Sequence, residues 1–213
     1  GLKAFTSTGF TLGTGANGYN DNTEKFISYN WLAGGAPTAD NSGSAGGAPT
    51  SGSVMVNGSA NTDNLAGSKA ALRISANTTS GFSIVRWDSA ANEAVTIDHK
   101  LGKVPKMYWV KTVDQDYGWY VYHAGNGNTK YQLLTGENAA VDTANYWNNA
   151  TPTTTVFSVT SAGGTEGVNH TGKDFIAYLW ADVEGFSKFG SYKGNGNAYG
   201  PFIYLGFKPA IFI

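Results

Sequence analysis

Cysteine is absent from this sequence, so disulfides and thiolate metal sites are excluded. Charge is scarce too: Asp, Glu, Lys and Arg make up 14% of 213 residues, against roughly 25% in ordinary globular domains. The formal net charge of −1 gives no field that would steer the chain to nucleic acid or to an anionic membrane. No apolar run approaches the ~20 residues that a membrane-spanning helix needs, so membrane insertion is not expected. No stretch carries a sustained helical period. There are three histidines, His99, His123 and His170. They are scattered and fall in no recognisable nucleophile or metal motif, so each reads as structural or solvated. No cofactor is expected.

What is present is glycine (29 residues), with abundant Asn, Ser and Thr and an aromatic content of 14%. Tight turns between short aromatic strands have this composition. Alternating segments predict strands over 5–12, 25–31, 71–75, 81–87, 93–98, 104–111, 119–123 and 130–134. Further strands are expected over 156–160, 174–180, 187–192, 201–205 and 210–213. The fold class is all-β, an antiparallel β-sandwich of jelly-roll-like form built from internally repeated strand–turn–strand units.

The repeat is read directly. Gly81, Phe82 and Ser83 recur as Gly185, Phe186 and Ser187, and Leu101, Gly102 and Pro105 recur as Leu205, Gly206 and Pro209, all at a spacing of 104 residues. Two motifs sharing one lag predict one strand–turn–strand path used twice. Phe82 and Phe186 should then be equally buried, and Pro105 and Pro209 should begin equivalent strands. A second echo joins Phe26-Ile27-Ser28-Tyr29-Asn30-Trp31 to Phe175-Ile176-Ala177-Tyr178-Leu179-Trp180. In the later copy Ile176, Tyr178 and Trp180 are expected to form the core face, with the opposite face covered as well.

Three regions follow. Residues 1–31 hold strands related to 157–180. Residues 32–70 form a Gly/Ala/Ser-rich insertion in which Ala-Gly-Gly-Ala-Pro-Thr occurs at 33–38 and again at 45–50. Too little apolar area is available there to offset an ordering entropy of about 1–2 kcal/mol per residue, so a flexible loop is expected. The other reading is an arm ordered on a neighbouring subunit. Residues 71–213 form the main β domain; a single domain over 1–213 is the alternative. A chain that opens at Gly1 and stops within an apolar run reads as cut at both ends.

Candidate chemistry is thin. Asp114 and Asp116 are the closest acid pair for glycoside hydrolysis, but a turn between strands fits that stretch better. Asn20-Asp21-Asn22 lacks the glycine and distal Glu of an EF-hand loop and reads as a turn. No catalytic or metal residues are assigned, and no enzyme is expected. Aromatics remain: Tyr117, Trp119, Tyr120 and Tyr122 on one hairpin, with Tyr146 and Trp147 in a polar loop. Such rings pack cores, anchor interfaces or stack on sugars.

The order of these motifs carries a resemblance. Gly81-Phe82-Ser83-Ile84-Val85 is followed by Leu101-Gly102, Pro105 and an apolar strand ending in Lys111. Trp119 with Tyr122-His123 comes next, then 154–159, 174–180, 185–192 and Gly206-Phe207-Lys208-Pro209-Ala210. This pattern resembles the repeat region of virion structural proteins of tailed, especially marine, bacteriophages, including tail-fibre-like proteins. It covers most of 81–213 and, more weakly, 5–31; the 32–70 segment departs from it. The resemblance implies a component on the virion surface, a homo-oligomer with the trimer favoured, in contact with other virion proteins. The expected role is a tail-fibre or appendage module with host-surface adhesion. The alternatives are a capsid-decoration or head-fibre protein, or a carbohydrate-binding module that takes a host-surface glycan.

Overall fold

The structure, a computed structural model, describes residues 2–13, 20–22, 24–89, 91–143, 146–161 and 167–212. It divides into two compact units, Gly1–Trp31 and Leu32–Ile213. In the first, β1 (Leu2–Phe5) and β2 (Phe10–Leu12) form an antiparallel hairpin. The strand expected over 25–31 does not form: no strand is found over 24–31, and Phe26 and Ile27 are exposed. Residues 14–19 and 23, on either side of the turn expected at Asn20-Asp21-Asn22, lie outside the described residues, as does Ile213.

The second unit is all-β. Its strands are β3 (Val54–Val56), β4 (Ser59–Ala60), β5 (Arg73–Asn77), β6 (Phe82–Ser89), β7 (Val95–Asp98) and β8 (Pro105–Thr112). They continue with β9 (Tyr120–His123), β10 (Lys130–Leu133), β11 (Val141–Asp142), β12 (Val156–Val159) and β13 (Lys173–Ala181). Nine strands form one sheet in the order β11-β10-β9-β8-β13-β6-β5-β3-β4, and β12 pairs with β7 in a second, two-stranded sheet. All neighbours are antiparallel except β3 and β5. The layers are sandwich-like and unequal.

The core lies between them. Val95, Ile97, Phe157 and Val159 of the small sheet share one buried cluster with Ile74, Val85, Trp87, Tyr108, Val110, Phe175, Ala177 and Leu179. Trp87 stacks on Phe175 at 5.4 Å between ring centroids and meets Phe157 edge-on at 5.7 Å. Its Nε1 donates to Asn169 Oδ1 at 3.0 Å, which satisfies the ring's polar edge in the dry interior. Each such fully buried ring contributes roughly 2–3 kcal/mol by removing apolar surface from water.

The face of β13 is the reverse of the expectation. Phe175, Ala177 and Leu179 are the fully buried set, whereas Ile176 and Tyr178 are half-buried on the outer side; Trp180, on that side too, is 3% exposed. Ala177 is small because it pairs between Val85 and Val110, where the two sheets close around larger neighbours.

The 32–70 segment is not a flexible insertion. It holds β3 and β4, buries Val54 and Leu65 in the core, and has the rest of its backbone tied down by hydrogen bonds. Asn41 is the hub: its Oδ1 accepts from Gly43 N and Thr50 N, both at 2.9 Å, while Nδ2 donates to Ala71 O at 3.1 Å and Gly43 O at 3.3 Å. Gly34 lies so close to β5 that an added Cβ would stand 2.2 Å from Ala76 O. The entropy argument counted apolar area and missed this polar network.

The internal repeat is also not realised as one path. Phe82 is 4% exposed and Phe186 62%. Pro105 begins β8, but no strand forms over 187–192, 201–205 or 210–212. Only the turn residues agree. Gly81 and Gly185 have φ of 67° and 72°, and Gly102 and Gly206 have φ of 65° and 84°, a region open to glycine at little cost.

His99 is buried, with Nδ1 accepting from Leu101 N at 3.2 Å and Nε2 facing Thr153 O at 3.3 Å. Burial lowers its pKa from 6.5 to about 4, opposed by the bond to Thr153 and by the charge of Asp98. Above pH 6.5 the ring is neutral in both folded and unfolded chains. Below it the unfolded chain binds a proton that the folded ring refuses. Stability should therefore fall between about pH 6.5 and 4, by roughly 3 kcal/mol from this group; an NMR-titrated His99 pKa near 6.5 would contradict it. Separately, Asn41→Ala should cost about 3 kcal/mol in urea unfolding, because it strands buried backbone groups, and should expose 35–52 to limited proteolysis. Unchanged stability and protection would mean that the segment is held by something else.

Candidate functional site

The large sheet has a second face, and it is rich in aromatic residues. By alternation, Phe82 and Ile84 of β6, Tyr178 and Trp180 of β13, Trp109 of β8 and Val121 of β9 point away from the core. Cross-strand pairing sets Trp180 opposite Phe82 and Tyr178 opposite both Ile84 and Trp109. The rings form a continuous strip: Phe82–Trp180 at 5.2 Å, Trp109–Trp180 at 4.7 Å, Phe82–Tyr178 at 6.2 Å and Trp119–Tyr178 at 5.5 Å. Phe82 and Trp180 are covered, while Trp109, Trp119 and Tyr178 stay half-exposed.

Charged groups stand at one end of the strip. Arg73 and Arg86 face each other directly across β5 and β6, a destabilising like-charge pair unless neutralised. Arg73 is paired with Asp40 and Arg86 with Asp174. The hydrogen bond from Arg73 holds the Asp40 carboxyl below its ordinary range, and the bond to Asp174 pushes the Arg86 guanidinium up. Asp114 accepts the backbone N–H of Asp174, and Lys111 Nζ donates to Tyr117 O, which fixes the turn from β8 to β9 beside Trp119. Asp114, in the connection between β8 and β9, thus serves the backbone at the start of β13.

The six aromatics singled out in the sequence divide between the two faces. Tyr117 and Trp119 are half-buried beside the outer strip. Tyr120, Tyr122 and Trp147 are at most 5% exposed and belong to the core. Tyr108 stacks on Tyr122 at 4.5 Å and meets Trp147 edge-on at 5.0 Å. Trp147 Nε1 donates to Lys130 O at 2.8 Å. Tyr146 packs against Tyr120 and Tyr131, and burial pushes its phenol pKa well up. As contacts for a glycan or partner, the buried Tyr120, Tyr122 and Trp147 are therefore corrected, while Tyr146 is partly buried. Tyr120 and Tyr122 lie on β9, and the loop carrying Tyr146 and Trp147 sets Trp147 against Tyr108 and Tyr122. Tyr178 and Trp109 were missed as outer-face residues. Their signal was the matched bulk at positions that pair across β13 and β8.

A small pocket beside the β10–β11 edge, bordered by Tyr131, Leu133, Asn138 and Val141 among others, carries no carboxylate, histidine or lysine. Among the described residues, no group of three or more His, Asp or Glu could hold a metal ion, and no helix is long and apolar enough to cross a membrane. The half-exposed rings of Trp119 and Tyr178, edged by Arg86, Asp174 and Lys111, offer flat π faces beside hydrogen-bonding groups. That arrangement can bind a ligand with one apolar and one hydroxylated face.

Fold and site together define an all-β domain whose large mixed sheet carries one aromatic face inward and another outward. The chain belongs to the family described as "Domain of unknown function (DUF7483)", whose model matches residues 54–213. No curated protein and no solved structure gives a significant match.

The two aromatic faces should respond differently to truncation. Trp147→Ala should cost about 3–5 kcal/mol in urea unfolding, as for a core ring. Trp119→Ala should cost about half that or less, with near-native circular dichroism. Equal costs would place Trp119 in the core and remove the outer site.

Proposed function

We propose that this chain is a structural module of a tailed-bacteriophage virion, part of a tail fibre or similar appendage, working as a homo-oligomer among other virion proteins. The observation that carries this reading is the uneven placement of apolar side chains. Tyr108, Tyr120, Tyr122 and Trp147 are drawn into a core, whereas Phe186, Tyr192, Tyr199, Phe202, Tyr204, Ile211 and Phe212 are each more than half exposed along one stretch. An uncovered apolar stretch of this extent marks a protein–protein contact. The motif order over 81–213 supplies the virion context by resemblance.

A second reading, host-surface glycan binding, is favoured by the Trp119–Tyr178 ledge. The two readings are compatible, since an appendage that adheres to its host needs both self-association and a ligand face.

The module should be detected by mass spectrometry in purified particles, with antibody labelling on an appendage. Labelling spread over the capsid would assign it to head decoration instead, and absence from particles would end the virion reading. On a glycan array the native chain should bind and folded Trp119→Ala should lose at least tenfold in apparent affinity. Equal binding by both, or by neither, removes the ledge as a glycan site.

A further inference from the structure

In the large sheet β6 and β8 do not touch each other. Both are hydrogen-bonded to β13, which lies between them along nearly its whole length. A β6–β8 pair is thus two flanks awaiting a centre strand. The stretch 185–212 carries the sequence of those flanks: Gly185-Phe186-Ser187 stands for the start of β6, and Leu205-Gly206 with Pro209 stands for the entry to β8. Its two turn glycines already take the left-handed φ of their counterparts. Yet it forms no strands corresponding to β6 or β8, and Phe186, Phe202 and Phe212 are 62%, 89% and 79% exposed.

The chain also carries a second stretch with the sequence of the centre strand. Phe26, Ile27, Tyr29 and Trp31 match Phe175, Ile176, Tyr178 and Trp180 of β13 at the same relative positions. No strand forms there, and Ile27 is 82% exposed. The two stretches carry the sequences of complementary parts of the arrangement that β6, β13 and β8 form.

We propose that residues 25–31 of one copy of this chain insert between 186–193 and 209–212 of a second copy, so that copies join head to tail by strand exchange. The register follows from the completed sheet. Leu179 faces Ser83 on one side and Tyr108 on the other, so Asn30 of one copy faces Ser187 and Phe212 of the next. The contact is heterologous, using a different surface on each partner, and it closes into a ring or extends into a fibre. Backbone hydrogen bonds supply the affinity and the alternating side chains set the register. The inference rests on the oligomeric part of the proposed function and not on the virion assignment, which particle analysis tests independently.

Because the chain is cysteine-free, pairing can be trapped. The full-length double variant Asn30→Cys/Ser187→Cys, oxidised gently, should give a ladder of disulfide-linked multimers on non-reducing gels. The control pair Asn57→Cys/Ser187→Cys, with one cysteine outside the inserting segment, should not. In sedimentation, full-length Ile27→Asp/Tyr29→Asp and full-length Phe186→Asp/Phe212→Asp should each be monomeric. Their equimolar mixture should double in mass and stop there, since one intact head and one intact tail remain. A wild-type chain that stays monomeric at high micromolar concentration overturns the proposal. So does a disulfide formed only within single chains, or assembly that both double variants leave intact. In the last case the chain is still an oligomer, and strand exchange alone has failed.

Discussion

β13 is hydrogen-bonded along one edge to β6 and along the other to β8, and its buried residues Phe175, Ala177 and Leu179 are the floor on which the smaller β7–β12 sheet sits. Its position at the sheet's centre imposes a cost. Arg86 and Asp174, which join the outer edge of this contact, are 88 positions apart, so the sheet closes only when segments distant in the chain are brought together. The loop-closure entropy of such a pairing grows only slowly with length, but it is incurred before any core contact rewards it. Stacked rings offset it once closure occurs. Trp87 on Phe175 joins strands far apart in sequence, so that ring contact locks a long-range strand pair, whereas Tyr108 on Tyr122 ties together the neighbouring strands β8 and β9.

Elsewhere the chain is ordered by polar chemistry. The segment before β5 has little to bury, yet Asn41 alone makes four hydrogen bonds to three backbone positions. Asp98 works in the same way farther on, accepting from Ala66 N and Lys100 N at 2.8 Å each while pairing with Lys100 Nζ at 3.0 Å. Small residues make this economical in volume. Where Gly34 runs against β5, backbone meets backbone with no side chain between them, and Ser75 Oγ reaches Gly35 O at 2.6 Å. Low charge and high Gly/Asn/Ser content here are consistent with polar groups satisfied internally as well as by water.

Much of this was legible in the sequence. Strands with alternation and a clear turn before them, such as β6, β8 and β13, were read nearly to their ends, because the period of two and the Gly102-to-Pro105 turn are local signals. The core face of β13 was not legible by the same route. With apolar residues on both faces, period gives the two sets but not which one is inside; that depends on the neighbours Val85 and Val110, known only from pairing. The outer site was half legible for a similar reason. Trp119 could be named from its hairpin, while Tyr178 needed the register of β13 against β6 and β8 to become its neighbour. Asn41 carried no signal in composition or period, since its role is to satisfy turns that do not exist until the chain has folded.

The contrast between 81–109 and 185–212 shows where local sequence stops determining structure. Both stretches hold the same turn glycines in the same left-handed conformation, so the local instruction is obeyed twice. Only the first becomes strand, because only the first has β13 to accept its hydrogen bonds. A strand is a property of a pair, and its propensity measures how well a residue suits a half-buried pleated surface once neighbours exist. The same constraint acts on 24–31, where a β13-like sequence without flanks remains irregular. Sequence repeats in β proteins can therefore encode complementary halves as well as duplicated wholes, and which of these is realised depends on which segments are present to pair.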